Sequence, residues 1–176
     1  MSGSLRLLVV LFLVCGIAAG SLAFVNAATK DRIAEFARLE KIEAMQKVLP
    51  QAEEFVEVME GRIWEARAGG QLVGRVLAAS TQGYSGPLQG LVGLDPNGAV
   101  SGVRVLVQTE TPGLGAKIAG LPFLAQYQGR RVEEVALKRD DPAGKIDAVT
   151  AATISSRALT RAVRQAIEEY QKGEAQ

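Results

Sequence analysis

The chain contains no histidine and a single cysteine, Cys15. Without histidine, it cannot use an imidazole as a general acid or base, activate a serine or cysteine nucleophile with one, or ligate a metal through one. Cys15, which lies in an apolar run, is the single cysteine, so it cannot form an intrachain disulfide or hold an iron–sulfur cluster by itself. Any redox chemistry must therefore come from an organic cofactor.

The net charge is small, and aromatic residues are few. The formal net charge is +1 over 176 residues, which lacks the basic excess of nucleic-acid-binding proteins. We therefore expect no nucleic-acid partner. Hydrophobic residues make up 48% of the chain, enough for a packed core, although only 5% of the residues are aromatic. The length suits one domain of ordinary size plus an appendage.

The N-terminus carries an uncharged run from Leu7 to Thr29. A transmembrane helix needs about 20 mostly apolar residues, so this run predicts a membrane anchor over residues 1–29. Arg6 precedes the run, and the positive-inside rule favours a cytoplasmic N-terminus. The rest of a single-pass chain would then lie on the extracytoplasmic, periplasmic side of the inner membrane. A cleaved signal peptide is the alternative, because Val25-Asn26-Ala27 fits a small-residue cleavage site.

Residues 30–50 predict an amphipathic juxtamembrane helix that ends at Pro50 and packs against the core. Its apolar positions recur at helical spacing and are Ile33, Phe36, Ala37, Ile42, Met45, Val48 and Leu49. The domain that carries the function is predicted over residues 51–176.

Period-two patterns and turn residues predict the elements of that domain. They are strands at 62–68, 71–80, 88–94, 99–107 and 132–137, a short helical or loop segment at 123–127, and an amphipathic helix at 156–172. Gly69-Gly70 and Asp95-Pro96-Asn97-Gly98 supply hairpin turns between consecutive strands. The predicted fold class is α+β: one N-terminal transmembrane helix, then a small domain with an antiparallel-rich sheet flanked by helices.

Two loops contain closely spaced glycines, one at 82–87 and one at 109–115. Neither is a dinucleotide-binding fingerprint or a P-loop, and each alone is more often a tight connection than a site. The second loop has the better content for binding. Its glycines allow close backbone approach, Leu114 can lie flat against a ring, and Glu110 and Thr111 can supply hydrogen bonds.

The strongest candidate site is the stretch from Asp147 to Ser156. Thr153 lies where the last helix is expected to begin, and a helix N-terminus attracts anions through unpaired N–H groups and a partial positive charge. Ala151-Ala152 leaves the approach open, and Ser155 or Ser156 can cap the helix. The same hydroxyls also suit a plain helix start, so local physics leaves a phosphate site and a capping sequence as alternatives.

This stretch resembles the modification motif of covalent FMN-binding domains, in which Asp precedes Ser/Thr-Gly-Ala-Thr and then Ser/Thr. Residues 109–118 look like the second signature of that family, and residues 83–87 look like a third. All three occur in the expected order behind an N-terminal anchor. Within the family, the chain is most similar to the G subunits of Rnf electron-transport complexes. The longer C subunits of the sodium-pumping NADH:quinone oxidoreductase are the alternative.

The resemblance implies FMN held by a phosphoester on Thr153, attached by a separate flavin transferase that uses FAD and releases AMP. Asp147 would be a recognition or metal-associated position for that transferase. The remaining implied cofactor-binding residues are Thr150, Ala152 and Ile154 around the phosphate, Glu110, Thr111, Leu114, Gly115 and Lys117 along the flavin, and Tyr84 and Ser85 near it. One position departs from the family motif: Ala151 stands where the family has glycine.

The resemblance also implies the function, that of an electron-carrying flavoprotein in ferredoxin:NAD oxidoreduction coupled to Na⁺ or H⁺ translocation. The implied partners are the integral membrane subunits of the complex, one of which also carries covalent FMN, its iron–sulfur subunits, and the flavin transferase during maturation. The flavin would carry the electrons and no side chain would need to act as acid or base. The alternatives are the quinone-reducing C subunit and a flavin-free docking or sensory module of the same fold, which Ala151 favours.

Overall fold

The computed structural model describes residues 3–174; the outermost two residues of the predicted anchor and of the predicted domain lie outside this range. The helices are α1 (Gly3–Val48), α2 (Leu121–Leu124) and α3 (Thr153–Glu174), and the strands are β1 (Glu54–Met59), β2 (Ile63–Ala68), β3 (Gln71–Gln82), β4 (Pro87–Leu94) and β5 (Val100–Val107). Short 3₁₀ turns occupy Gly115–Ala119, Ala125–Tyr127 and Val132–Glu134. The chain divides into two compact units between Glu40 and Lys41.

Helix α1 runs unbroken through the predicted anchor and juxtamembrane segments. It is long and apolar enough to cross a membrane. The prediction that the juxtamembrane stripe packs on a core is wrong for its first half, since Ile33 and Phe36 are 59% and 69% exposed. From Ala44 onward the helix is largely buried against the sheet, and Lys41 Nζ lies 4.0 Å from the centroid of the Trp64 ring.

The sheet contains five antiparallel strands in chain order, β1-β2-β3-β4-β5. The four predicted hairpin strands are confirmed to within two residues, and Gly69 and Gly70 form the first turn at φ of +56° and +78°. Strand β1 was not predicted, because it is an edge strand with mostly exposed side chains, and its glutamates interrupt the apolar alternation.

The prediction of a strand at residues 132–137 is wrong. Val132–Glu134 is a 3₁₀ turn, and Leu137 makes only an isolated bridge to Ile146. Val135 and Leu137 are nevertheless buried in the core. The alternating pattern therefore indicated which side chains are buried. They are buried although the segment is a turn and not a strand paired with a neighbour.

Both faces of the sheet are covered. Helix α3 and the turns after β5 cover one face, with a core that includes Leu77, Leu88, Val92, Ile118, Tyr127, Leu159, Val163 and Ile167. The end of α1 covers the other face, with a core that includes Met45, Val48, Leu49, Trp64, Val76 and Leu91. This arrangement brings the start of α3 and the loops that follow β3 and β5 to one end of the sheet.

Two facing glycines make room for the end of α1. Gly93 and Gly102 are paired across β4 and β5. A Cβ atom added to Gly93 would lie 2.7 Å from the Val48 carbonyl oxygen, and one added to Gly102 would lie 3.1 Å from Val48 Cα. Because these contacts are to backbone atoms, no change of rotamer would relieve them, so the close approach requires glycine.

Replacing Gly93 by valine is expected to lower the free energy of unfolding by about 1–3 kcal/mol, the usual cost of overpacking. Urea unfolding of the detergent-solubilised chain measures it. Gln89→Val is the matched control, because Gln89 is an exposed residue of the same strand and a surface change of this kind usually stays within about 0.5 kcal/mol. Equal stability of the two variants would contradict the packing argument.

Candidate functional site

A cavity of about 400 Å³ lies where the loops after β3 and β5 meet the start of α3. Its walls are Tyr84, Glu110, Thr111, Leu114, Gly115, Ala151, Ala152, Thr153, Ile154 and Ser155. We call it the Thr153 cavity. The three stretches that stand apart in the sequence thus form a single concave site, as ligand pockets generally are.

The walls contain most of the residues predicted to bind a cofactor. Within the described part of the chain, four predicted residues lie outside these walls: Ser85, Lys117, Asp147 and Thr150. Ser85 still contributes through its backbone N–H, which donates to Glu110. Asp147 pairs with Lys138 at 2.6 Å, and its side chain is 63% exposed, so it is accessible to another protein.

The Glu110 carboxylate joins the three stretches of the site. It is only 5% exposed. One oxygen, Oε1, accepts hydrogen bonds from the N–H groups of Tyr84 and Ser85 at 2.7 and 3.2 Å. The other, Oε2, accepts one from the Ser155 hydroxyl at 2.6 Å. Hydrogen bonds to a charged group are worth about 1.5–3 kcal/mol each, so this carboxylate stabilises the walls of the cavity.

Two glycines of the site make room for this carboxylate. A Cβ atom on Gly83 would collide with Glu110 Oε1, and one on Gly115 would lie 2.6 Å from Oε2 and 2.9 Å from Ser155 Oγ. We expected the glycines of the second loop to allow close backbone approach to a ligand. At Gly115 the group that approaches closely is the carboxylate of Glu110.

The start of α3 differs from the prediction in one respect. The helix begins at Thr153, so Ser155 and Ser156 lie inside its first turn and do not cap it from outside. Ser156 Oγ accepts a hydrogen bond from the Val149 N–H at 3.0 Å and donates one to the Ala152 carbonyl at 2.9 Å. These bonds hold the turn before the helix, and Thr153 lies in the cavity wall.

Ala151 has a φ of +63°, and it is the one non-glycine residue in the described range with positive φ. The left-handed conformation costs an L-residue about 1–2 kcal/mol because Cβ crowds the following carbonyl. Glycine, which the family motif has at this position, would adopt this conformation without strain. In this chain alanine adopts it under strain.

Replacing Ala151 by glycine is expected to raise the free energy of unfolding. Glycine removes about 1–2 kcal/mol of strain and costs about 0.4–1 kcal/mol through the greater freedom of the unfolded chain. The net gain in the free energy of unfolding is therefore about 0–1.6 kcal/mol. Urea unfolding again measures it. Ala143→Gly is the control: Ala143 is exposed and lacks positive φ, so that change should only destabilise. A loss of stability in both variants would contradict the strain argument.

The charge run Lys138-Arg139-Asp140-Asp141 is a mostly exposed turn that contacts the first turns of α3. Asp140 accepts two hydrogen bonds from Arg157, at 2.5 and 2.7 Å, and these lower the pKa of its carboxyl group below the ordinary value. Asp141 lies 3.6 Å from Arg164. The loop is therefore fixed to the helix that carries Thr153.

Arg139 is a residue of the site that sequence reasoning missed. Its Nη1 donates a hydrogen bond to the Thr153 Oγ1 atom at 3.2 Å. Fourteen positions separate the two residues, and nothing in the sequence distinguishes Arg139 from its charged neighbours. Its place in the site follows only from the fold of the loop against α3.

The rim of the Thr153 cavity is apolar and exposed. Tyr84, Leu114 and Ile154 are 68%, 46% and 54% exposed. Exposed apolar side chains grouped around one opening are typical of a binding site. The apolar rim fits a flat ring, and the Thr153 hydroxyl, which Arg139 contacts from outside the cavity walls, fits a phosphate group.

Comparison with known proteins supports a ligand with a flat ring and a phosphate group in this cavity. Residues 83–168 match the family model of the FMN-binding domain, a range that includes every wall residue of the Thr153 cavity. The chain is 32% identical, over 94% of its length, to the G subunit of the Na⁺-translocating ferredoxin:NAD⁺ oxidoreductase complex of Acetobacterium woodii, 91% of which is covered. It is 33% identical, over 89% of its length, to the G subunit of the ion-translocating oxidoreductase complex of Stutzerimonas stutzeri, 76% of which is covered.

The chain belongs to the family of G subunits of ion-translocating oxidoreductase complexes. A third relative, the G subunit of the ion-translocating oxidoreductase complex of Escherichia coli K12, is 35% identical over 84% of the chain and 81% of its own length. The resemblance drawn from the three sequence motifs is therefore confirmed.

Two crystal structures share the fold of this member of the G-subunit family. The C subunit of the Na⁺-translocating NADH-quinone reductase from Parabacteroides distasonis has a TM-score of 0.54 and 24% identity, covering 62% of this chain and 60% of that one. NqrC from Shewanella oneidensis has a TM-score of 0.51 and 20% identity, covering 72% of this chain and 74% of that one. The predicted α+β fold, with an antiparallel sheet between helices, is confirmed.

Proposed function

We propose that this member of the G-subunit family is the electron-carrying flavoprotein of a membrane-bound ion-translocating ferredoxin:NAD⁺ oxidoreductase complex. The observation that carries the proposal is the Thr153 cavity, which lies inside the FMN-binding match and combines an apolar, exposed rim with the threonine of the modification motif. Bound FMN would accept electrons from one neighbour and pass them to the next, and the protein would set its position and electrostatic surroundings.

The FMN is held covalently, through a phosphoester to Thr153 Oγ1. Supporting this, Thr153 lies on the cavity wall and occupies the threonine position of the modification motif. A separate flavin transferase supplies the flavin from FAD and releases AMP, and the exposed Asp147 is the position it recognises. A covalent bond prevents loss of the flavin from an open site, whose rim residues are about half exposed or more.

The wall residues hold and orient the flavin without exchanging protons with it. Tyr84, Leu114 and Ile154 would contact the ring, and Glu110 fixes the loop on which Tyr84 lies. The exposed rim lets a neighbouring electron carrier approach closely. The cavity walls also include Thr111, Gly115 and Ala152. Three further residues proposed to bind the flavin lie outside the walls: Thr150, Ser85 and Lys117.

Helix α1 anchors the protein, with the folded domain on the extracytoplasmic side of the inner membrane. The length and apolar surface of the helix support the anchor, and Arg6 before the uncharged run supports the orientation. The partners are the integral membrane subunits of the complex, including a second one with covalent FMN, and its iron–sulfur subunits.

One observation favours a second function, a docking module that keeps the fold without flavin. Ala151 stands at a strained position where the modification motif has glycine, and a transferase that needs a bare backbone there would leave Thr153 unmodified. In that case the cavity would be a surface for partner subunits alone.

Flavin fluorescence of the denatured chain separates the two functions. The full chain is expressed with and without the flavin transferase and run on a denaturing gel. We expect a fluorescent band only with the transferase, and reduction of the bound flavin by ferredoxin once the iron–sulfur subunits are present. A dark band, with the transferase shown to be active on another target, would overturn the flavin proposal and leave the docking module.

A further inference from the structure

We propose that Arg139 is the positioning residue for flavin attachment: its guanidinium orients the Thr153 hydroxyl before the reaction and binds the phosphodiester afterwards. The inference rests on the proposed function, because it presumes that Thr153 is the attachment site. Nothing in the motif or in the family comparison assigns this role to Arg139, which precedes the motif by eight positions in the sequence.

The contact that carries the inference is the hydrogen bond from Arg139 Nη1 to Thr153 Oγ1, 3.2 Å long. The other charges of the run each pair with an opposite charge: Lys138 with Asp147, Asp140 with Arg157, and Asp141 with Arg164. Within the described range, no carboxylate lies within ion-pair distance of the Arg139 guanidinium. Behind the larger effect of Arg157, its charge also lowers the pKa of Asp140, while its hydrogen bond goes to the Thr153 hydroxyl.

The loop holds Arg139 in place before any ligand binds. The neighbouring Asp140 accepts two hydrogen bonds from Arg157, at 2.5 and 2.7 Å, and Asp141 lies 3.6 Å from Arg164. Both arginines are on α3, the helix that begins at Thr153. A cation already fixed at the reacting atom loses little entropy when the anion arrives, which favours binding.

Guanidinium chemistry limits what Arg139 can do. The group stays protonated in proteins, so it donates hydrogen bonds and cannot remove the proton of Thr153. By donating to one lone pair of Oγ1 it holds the hydroxyl in one orientation and leaves another lone pair free to attack. Its planar fork also matches the non-bridging oxygens of a phosphate, where negative charge increases as the transfer proceeds.

The attachment step is balanced without any transfer of electrons. A bond forms between Thr153 Oγ1 and the phosphorus of FAD that bears the riboflavin, and the phosphoanhydride bond from that phosphorus to AMP breaks. AMP leaves, and the hydroxyl proton goes to solvent. A neutral hydroxyl beside Arg139 thus becomes a phosphodiester with one negative charge, which the single positive charge of Arg139 neutralises.

The rate of flavin attachment tests this role. The purified full chain in detergent is incubated with flavin transferase and FAD, and covalent flavin is followed by gel fluorescence and intact mass. We expect Arg139→Ala to lower the rate about 10²-fold, the order of loss when one donor to a developing oxyanion is removed. Arg139→Lys should recover part of the rate, because it restores the charge without the planar fork.

Two control variants separate positioning from support of the fold. Arg157→Ala releases the same loop from α3 but keeps the Arg139 cation, so its loss should be less than tenfold. Arg161→Ala removes an exposed cation one turn further along α3 and should leave the rate unchanged. Equal losses in Arg139→Ala and Arg157→Ala would mean that Arg139 only supports the loop.

A second readout does not depend on the rate. After long incubation to full loading, the ³¹P NMR resonance of the phosphodiester should shift in Arg139→Ala relative to wild type and stay in place in Arg161→Ala. Wild-type rate and an unshifted resonance in Arg139→Ala would overturn the inference alone. A wild-type chain that takes up no flavin, with the transferase active on another target, would overturn the proposed function and this inference with it.

Discussion

Replacing Thr153 by valine is expected to abolish covalent flavin while leaving the fold unchanged. Valine keeps the shape and β-branching of threonine and removes only the hydroxyl that would bind phosphorus. The hydroxyl makes a hydrogen bond with Arg139 at a partly exposed position, so its loss should cost no more than about 0.5–1.5 kcal/mol of stability. Flavin fluorescence of the denatured chain and urea unfolding measure the two effects separately.

Thr150 offers the matched control, since it is the other threonine of the same motif. It is exposed and lies outside the walls of the Thr153 cavity, so Thr150→Val should keep full covalent flavin. Thr153→Ser, which restores a hydroxyl, should recover some attachment. If Thr150→Val lost the covalent flavin and Thr153→Val kept it, the phosphoester would be on Thr150. That result would contradict the assignment to Thr153.

Replacing Glu110 by alanine is expected to give the largest loss of stability, about 3–5 kcal/mol. The change would leave three donors without a partner: the partly buried N–H groups of Tyr84 and Ser85 and the buried hydroxyl of Ser155. Each unsatisfied buried group costs about 1–3 kcal/mol, and the carboxylate also joins the loop of Tyr84 to the start of α3. The loop with Tyr84 should then separate from α3 and open the cavity.

Urea unfolding of the variants measures this loss, and Glu133→Ala is the control because Glu133 is an exposed glutamate. Glu110→Gln should fall between wild type and Glu110→Ala, since the amide keeps one acceptor oxygen but turns an NH₂ group toward a donor. Similar unfolding free energies for Glu110→Ala and Glu133→Ala would show that the carboxylate does not join the three segments.

Local patterns in the sequence determined much of the architecture. The uncharged run from Leu7 to Thr29 required a long apolar helix, because a chain in lipid must satisfy its own backbone hydrogen bonds. Gly69-Gly70 required a tight hairpin, because both residues adopt positive φ. The stretch from Asp147 to Ser156 predicted the start of α3, which begins at Thr153, and the anion site expected there stays a prediction. Each of these features depends on residues that are neighbours in the chain, so the sequence alone contains them.

Only the tertiary structure decided how these pieces meet. Glu110 contacts Tyr84 across 26 positions and Ser155 across 45, and no periodicity predicts that one carboxylate satisfies both. Alternation predicted a strand at 132–137, where the side chains reach the core from a turn, and helical spacing predicted burial of Phe36, which is 69% exposed. Periodicity indicates which side of an element is apolar. Contacts between distant segments determine what covers that side. They also determine which charged side chain, such as Arg139, reaches Thr153.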